Sequence, residues 1–241
     1  KANLSADQQA VRQMNIALVA ASATEKPADL DALVKTLADA GYNSEDSLIP
    51  VTKDHVFYWY MTYNTIVLAN GNEVIAPTDN DDLIANFAAD LAKDGADKVL
   101  FDLRAGVAKI EVKDDASFME AAMQGYKDIT LAEDFVMADG MSINTPANTT
   151  MTINLGGKNL SAGYSDVKNN KHNYAINVYG TVTIENGSID ARGVQVMPSG
   201  KLILGEGVTI NAVDNNGGAC LWIYEGAEVV IDGGTFNALN G

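Results

Sequence analysis

Thr181-Val-Thr-Ile-Glu-Asn-Gly-Ser-Ile-Asp-Ala191 is the stretch on which the reading of the fold turns, because its pattern recurs. Thr152-Ile-Asn-Leu-Gly-Gly-Lys-Asn-Leu-Ser-Ala162, Lys201-Leu-Ile-Leu-Gly-Glu-Gly-Val-Thr-Ile-Asn-Ala212 and Glu228-Val-Val-Ile-Asp-Gly-Gly-Thr-Phe-Asn-Ala238 have the same parts. Each has two alternating apolar positions, a glycine-containing turn, one further apolar residue and a closing alanine. The closing alanines recur after 29, 21 and 26 residues. Another alternating pair precedes the last three copies: Ile176/Val178, Val194/Val196 and Leu221/Ile223. A unit this short cannot bury its apolar side alone, whereas stacking on its neighbours completes a core. The expectation is a solenoid in which Ile153/Leu155, Val182/Ile184, Leu202/Leu204 and Val229/Ile231 point inward and Asn154, Thr183, Ile203 and Val230 point outward. Two of those outward positions are apolar, so one face of the later repeats is expected to be covered.

Upstream the composition changes. Four of the 21 glycines lie before residue 111 and 17 after it. Leu4, Ser5 and Gln8 read as a hydrophobic residue, an N-cap and its capping-box partner, with Val11, Met14 and Leu18 along one helical face. Pro27 to Ala40 fits a second helix, with Leu30, Leu33, Val34 and Leu37 as its stripe and Gly41 as a left-handed stop. The aromatic and β-branched run from Val56, then Thr65-Ile-Val-Leu68, Asn70-Gly71 and Glu73-Val-Ile-Ala76, predicts a small meander with a hairpin at Asn-Gly. Asp79 to Lys93 returns to helical spacing, with acids first and a lysine last. Asp115 to Met123 predicts a short amphipathic helix placed to plug the open end of the first repeat. The expected organisation is a helical hairpin and meander over 1–78, a helical linking segment over 79–110, and the repeats with their capping helix over 111–241.

The chain has 241 residues and a net charge of −16, of which −7 falls on residues 1–110 and −9 on 111–241. Neutralising nucleic-acid phosphates needs a basic face, and a chain of this charge with three arginines does not suit it. One cysteine, Cys220, excludes an internal disulfide and a thiolate metal cluster. No stretch approaches the 18 or more apolar residues of a membrane span. The start at Lys1 suggests a removed leader or a fragment of a longer chain.

Asp115-Ala-Ser-Phe-Met-Glu-Ala-Ala-Met123, Asp128-Ile-Thr-Leu-Ala-Glu-Asp134 and Thr152-Ile-Asn-Leu-Gly-Gly-Lys-Asn-Leu160 together resemble the entry to pectate-lyase-like right-handed β-helix modules of secreted and surface-exposed bacterial proteins. Leu155-Gly156-Gly157-Lys158 departs by one residue from the family's leucine, asparagine, glycine turn. Residues 1–78, with Gln13-Met-Asn-Ile-Ala-Leu18, Ala40-Gly-Tyr-Asn-Ser44 and His55-Val-Phe-Tyr-Trp59, resemble a small uncharacterised α/β module that accompanies such modules in gut Firmicutes surface proteins. The resemblance implies extracellular or cell-surface display and does not imply a reaction. The expected class is thus an α+β N-terminal module followed by an all-β right-handed parallel β-helix.

Polysaccharide lyases and glycoside hydrolases of that architecture need clustered carboxylates, with Ca²⁺ or at a few Å separation. Asp190 and Arg192 are the only neighbouring acid and guanidinium in the repeats, and Asp190 aligns with Ser161, Asn211 and Asn237 as a rung of a polar ladder. No catalytic residue is therefore assigned. His55 and His172 lie in different parts without acids at ligand spacing, so no metal or cofactor is expected. Asp79-Asn-Asp-Asp82 reads as a solvated helix start, and Gly156-Gly157 and Gly217-Gly218 as turns without the following Lys-Ser/Thr of a phosphate loop.

The contact candidates are aromatic: Tyr58 and Tyr60 on one face of their strand, and Trp222 with Tyr224 on the flank of the last repeat. The expected role is a non-catalytic structural or adhesive protein of an outer surface, meeting a protein or a glycan. A virion fibre or capsid decoration and a carbohydrate-active enzyme are the alternatives. The last repeat, closing at Ala238 just before Gly241, is expected to be covered by further chain or by another subunit.

Overall fold

A computed structural model of the chain describes residues 5–107, 109–169, 171–213 and 218–238. Leu4, Gly217 and Gly241, each used in the sequence reading, lie outside these. The chain divides into two compact units, residues 1–93 with 97–108, and residues 94–96 with 109–241.

The first unit holds three helices and an antiparallel sheet. Helix α1 (Ala6–Ser22) starts at Ser5, whose hydroxyl accepts from the Gln8 amide while the Gln8 side chain accepts from the Ser5 amide. It buries Val11, Met14 and Leu18. Helix α2 (Leu30–Asp39) begins three residues later than the composition suggests, because Asp29 caps it by accepting from the Ala32 amide. Gly41 then takes the left-handed turn, at φ +103°. Strands β1 (His55–Tyr60), β2 (Thr65–Asn70), β3 (Glu73–Ala76) and β4 (Leu100–Asp102) form a sheet in the order β3-β2-β1-β4. The hairpin turn is Gly71-Asn72, since Asn70 still pairs with Glu73, and Gly71 supplies the positive φ. Helix α3 (Asp81–Leu91), capped by Asn80, lays Leu83 and Phe87 on the sheet face that carries Tyr58 and Tyr60. Segment 79–110, expected to link the two parts, thus supplies α3 and β4 to this unit.

In the second unit three parallel sheets take turns along the chain. The longest joins β5 (Lys109–Val112), β6 (Asp128–Leu131), β9 (Thr150–Asn154), β14 (Thr181–Glu185), β17 (Lys201–Leu204) and β20 (Glu228–Ile231). The second joins β7 (Phe135–Val136), β10 (Asn159–Ser161), β15 (Gly187–Ala191), β18 (Val208–Ala212) and β21 (Thr235–Ala238). The third joins β8 (Ile143–Asn144), β13 (Ile176–Val178), β16 (Val194–Val196) and β19 (Leu221–Ile223). A short antiparallel pair, β11 (Tyr164–Asp166) and β12 (Lys171–His172), fills the long connection before β13. Helix α4 (Asp115–Gln124) follows β5, and its Phe118, Ala121 and Ala122 enter the same core as the strand residues.

This arrangement corrects the expected class. The chain is of mixed α/β class, with four α-helices among the described residues beside several mostly parallel sheets, and it is not an all-β right-handed parallel β-helix behind a helical module. Alternation tells which side chains face inward. It leaves open how many helices share the core with them.

Register follows the repeat from the second copy onward: Val182 pairs with Leu202 and then Val229, Ile184 with Leu204 and then Ile231. The first copy is displaced. Met151 and Ile153, not Ile153 and Leu155, lie beside Val182 and Ile184. Leu160 nevertheless pairs with Ile189, so the first copy has two more residues in its turn, where Gly156 and Gly157 both have positive φ. Inward residues of the middle layers are fully buried, whereas Ile203 and Val230, expected outward, are half-buried.

Candidate interaction surface

The four aromatic candidates fall in two unlike places. Tyr58 and Tyr60 are core residues, which corrects their assignment as contacts. Phe87 meets both rings edge-on, and the opposite sheet face is closed as well, with Trp59 against Phe101. Burial, and then the charge of Asp102, push the Tyr58 hydroxyl up to about 12 against the opposing Arg104. The Tyr60 hydroxyl is raised further by burial and by donating to Asp90, which also pairs with Lys93 at 2.6 Å. These phenols are neutral packing groups and do not meet solvent.

Trp222 and Tyr224 are exposed, at 45% and 39%. Each parallel pairing of the third sheet sets an outward side chain beside the next: Asn144, Asn177, Gln195 and Trp222 form one row across β8, β13, β16 and β19. With strands about 4.8 Å apart, the row extends over about 14 Å. Asn177 Nδ2 donates to Asn144 Oδ1 at 2.9 Å, and Asn177 Oδ1 is buried without a partner. Gln195 Nε2 donates weakly to the Tyr224 hydroxyl at 3.4 Å. The row therefore presents planar amides that end in an exposed indole and phenol, chemistry that stacks on a ring and hydrogen-bonds hydroxyls.

Asp190 takes the ladder position read from the sequence. It accepts from Asn159 Nδ2 at 3.1 Å and from Asn211 Nδ2 at 2.6 Å, and Asn237 Nδ2 donates in turn to Asn211 Oδ1 at 2.9 Å. The Arg192 guanidinium lies over the Tyr174 ring, 5.2 Å from its centroid. His55 Nδ1 lies 3.6 Å from Asp7, whose carboxylate accepts from the Val51 and Thr52 amides at 2.7 and 3.0 Å. Among the described residues no three His, Cys, Asp or Glu side chains gather where a metal ion could sit, and no helix is long and apolar enough to cross a membrane.

Sequence reasoning missed two grooves. One, of about 850 Å³, lies between α1 and β3, with Arg12, Ile16, Val19, Ile75 and Pro77 in its walls. Ile16 and Val19 sit off the buried stripe of α1, and that spacing was the available signal. The other, of about 500 Å³, runs beside α4 and carries Met119, Met123 and Met141. No family model, no curated protein and no solved structure matches this chain.

Proposed function

We propose that the protein is a non-catalytic structural and adhesive protein of an outer surface, and that the third sheet holds a neutral glycan along its outward row. The observation that carries this reading is the exposed Trp222 at the end of the Asn144, Asn177 and Gln195 row. An indole stacks on the apolar face of a sugar ring while neighbouring amides pair with its hydroxyls. Neutral ligands are favoured because the chain carries −16 and would repel anionic glycans.

The two tryptophans make the test direct. Trp59 is fully buried and Trp222 is exposed, so acrylamide quenches Trp222 first. A neutral glycan seated on the row reduces that quenching, and Gln195→Ala weakens the protection. A broad neutral panel in which no glycan protects Trp222 would sink the reading.

A further inference from the structure

Three methionines share one groove of the second unit. Met119 and Met123 stand one turn apart on the same face of α4, and Met141 lines the groove with them from the connection between β7 and β8. All three are half-buried, whereas Met14, Met137 and Met151 are fully buried. Core packing accounts in full for the second set. It leaves part of each side chain of the first set in the groove wall.

The backbone that carries them is fastened. Asp115 Oδ2 accepts from the Ala138 amide at 3.1 Å, which ties the connection to the first turn of α4. The Met141 amide donates to the Ala138 carbonyl at 3.2 Å, and the Met141 carbonyl accepts from Asn173 Nδ2 at 3.2 Å. Each methionine side chain keeps three rotatable bonds with which to turn its sulfur inward. Charge then selects the ligand. The walls carry Asp115 and Glu120 and, among the described residues, no lysine or arginine. Gln124, in the same wall, has its Oε1 acceptor buried without a hydrogen-bond partner. Acceptors and carboxylates without a cation suit a positive ligand, and thioethers are soft donors that select Cu(I) over ions preferring oxygen.

We propose that Met119, Met123 and Met141 form a thioether site for Cu(I), with Asp115 and Glu120 supplying negative potential at its rim. The site is separate from the outward row of the third sheet and does not depend on what that row binds. Cys220 is the one thiol in the chain and the natural competitor for a soft ion. Its Sγ lies 3.4 Å from the Ile210 carbonyl, a bond that serine also makes.

The test uses the 241-residue Cys220→Ser protein with isotope-labelled methionine methyl groups. It is titrated in chloride-free buffer with Ag(I), the redox-inert analogue, and anaerobically with Cu(I). One ion per chain is expected, with the methyl resonances of Met119, Met123 and Met141 shifting and those of Met14, Met137 and Met151 unmoved. Each single Met→Leu, which conserves volume and leaves the melting temperature near that of the parent, weakens Ag(I) binding about tenfold or more, and the triple variant loses the site. Failure of either ion to move the three methyls overturns the proposal, as does binding that the triple variant retains. An equal response to Zn(II) also overturns it, because the carboxylates would then hold the ion.

Discussion

Asp7 shows how one carboxylate ties distant parts of the first unit. It sits in the first turn of α1, buried, and accepts from the amides of Val51 and Thr52, more than forty residues away. Burial raises its pKa, but the Thr52 hydroxyl, the two amides and the nearby His55 outweigh it, so the carboxyl lies below its ordinary 3.8. Asp7→Ala strands both amides and is expected to cost about 1–3 kcal/mol. Because the folded pKa is depressed, this contribution is complete above the ordinary carboxylate range and disappears as pH falls through the lower folded value. Melting curves of wild type and Asp7→Asn should therefore converge below about pH 4. A constant gap down to pH 2 would contradict the assignment. At the alkaline end the sign reverses for Tyr58. Its raised folded value means stability is intact below 10 and declines as pH rises toward about 12, and Tyr58→Phe should reduce that decline.

At the scale of strands and turns, inward and outward positions should separate cleanly. Ile184→Ala removes a fully buried side chain between Ile153 and Leu204 and is expected to cost about 2–5 kcal/mol. Thr183→Ala, on the half-buried outer face, should cost well under half of that. Equal losses in urea titrations would mean the register is wrong by one. Gly193, between β15 and β16, has φ +138°, and an added Cβ would lie 1.8 Å from the Ala219 carbonyl oxygen. Gly193→Ala is therefore expected to destabilise by about 1–3 kcal/mol or more, and by more than Gly157→Ala, where the Cβ meets nothing and only the backbone strain of φ +76° remains, about 1–2 kcal/mol.

The same elements show where sequence was legible. The pairing of Ser161, Asp190, Asn211 and Asn237 follows directly from the repeat. The placement of the first copy does not, because a shift of two residues keeps every side chain on its own face and leaves the apolar pattern unchanged. Asn-Gly located the hairpin but not its register, since the turn advances by one to Gly71-Asn72. Alternation in β1 separates two faces correctly. Whether the face of Tyr58 and Tyr60 is open to a contact depends on α3, some twenty residues on, and the strand's own pattern does not show that Phe87 covers it. Trp222 follows from alternation alone, which sets it on the opposite face of its strand from Leu221 and Ile223.

Across the whole molecule, what distinguishes adhesion from catalysis is whether a ligand held on the third sheet leaves unchanged. The most direct measurement incubates the protein with a panel of neutral glycans, separates bound from free, and assays both fractions for new reducing ends and unsaturated sugar. At least one glycan is expected to be retained, with no product formed. Trp222→Ala should retain it about tenfold more weakly, with a melting temperature near wild type because the indole is exposed. Newly formed product, or retention that Trp222→Ala leaves intact, would contradict the adhesive reading.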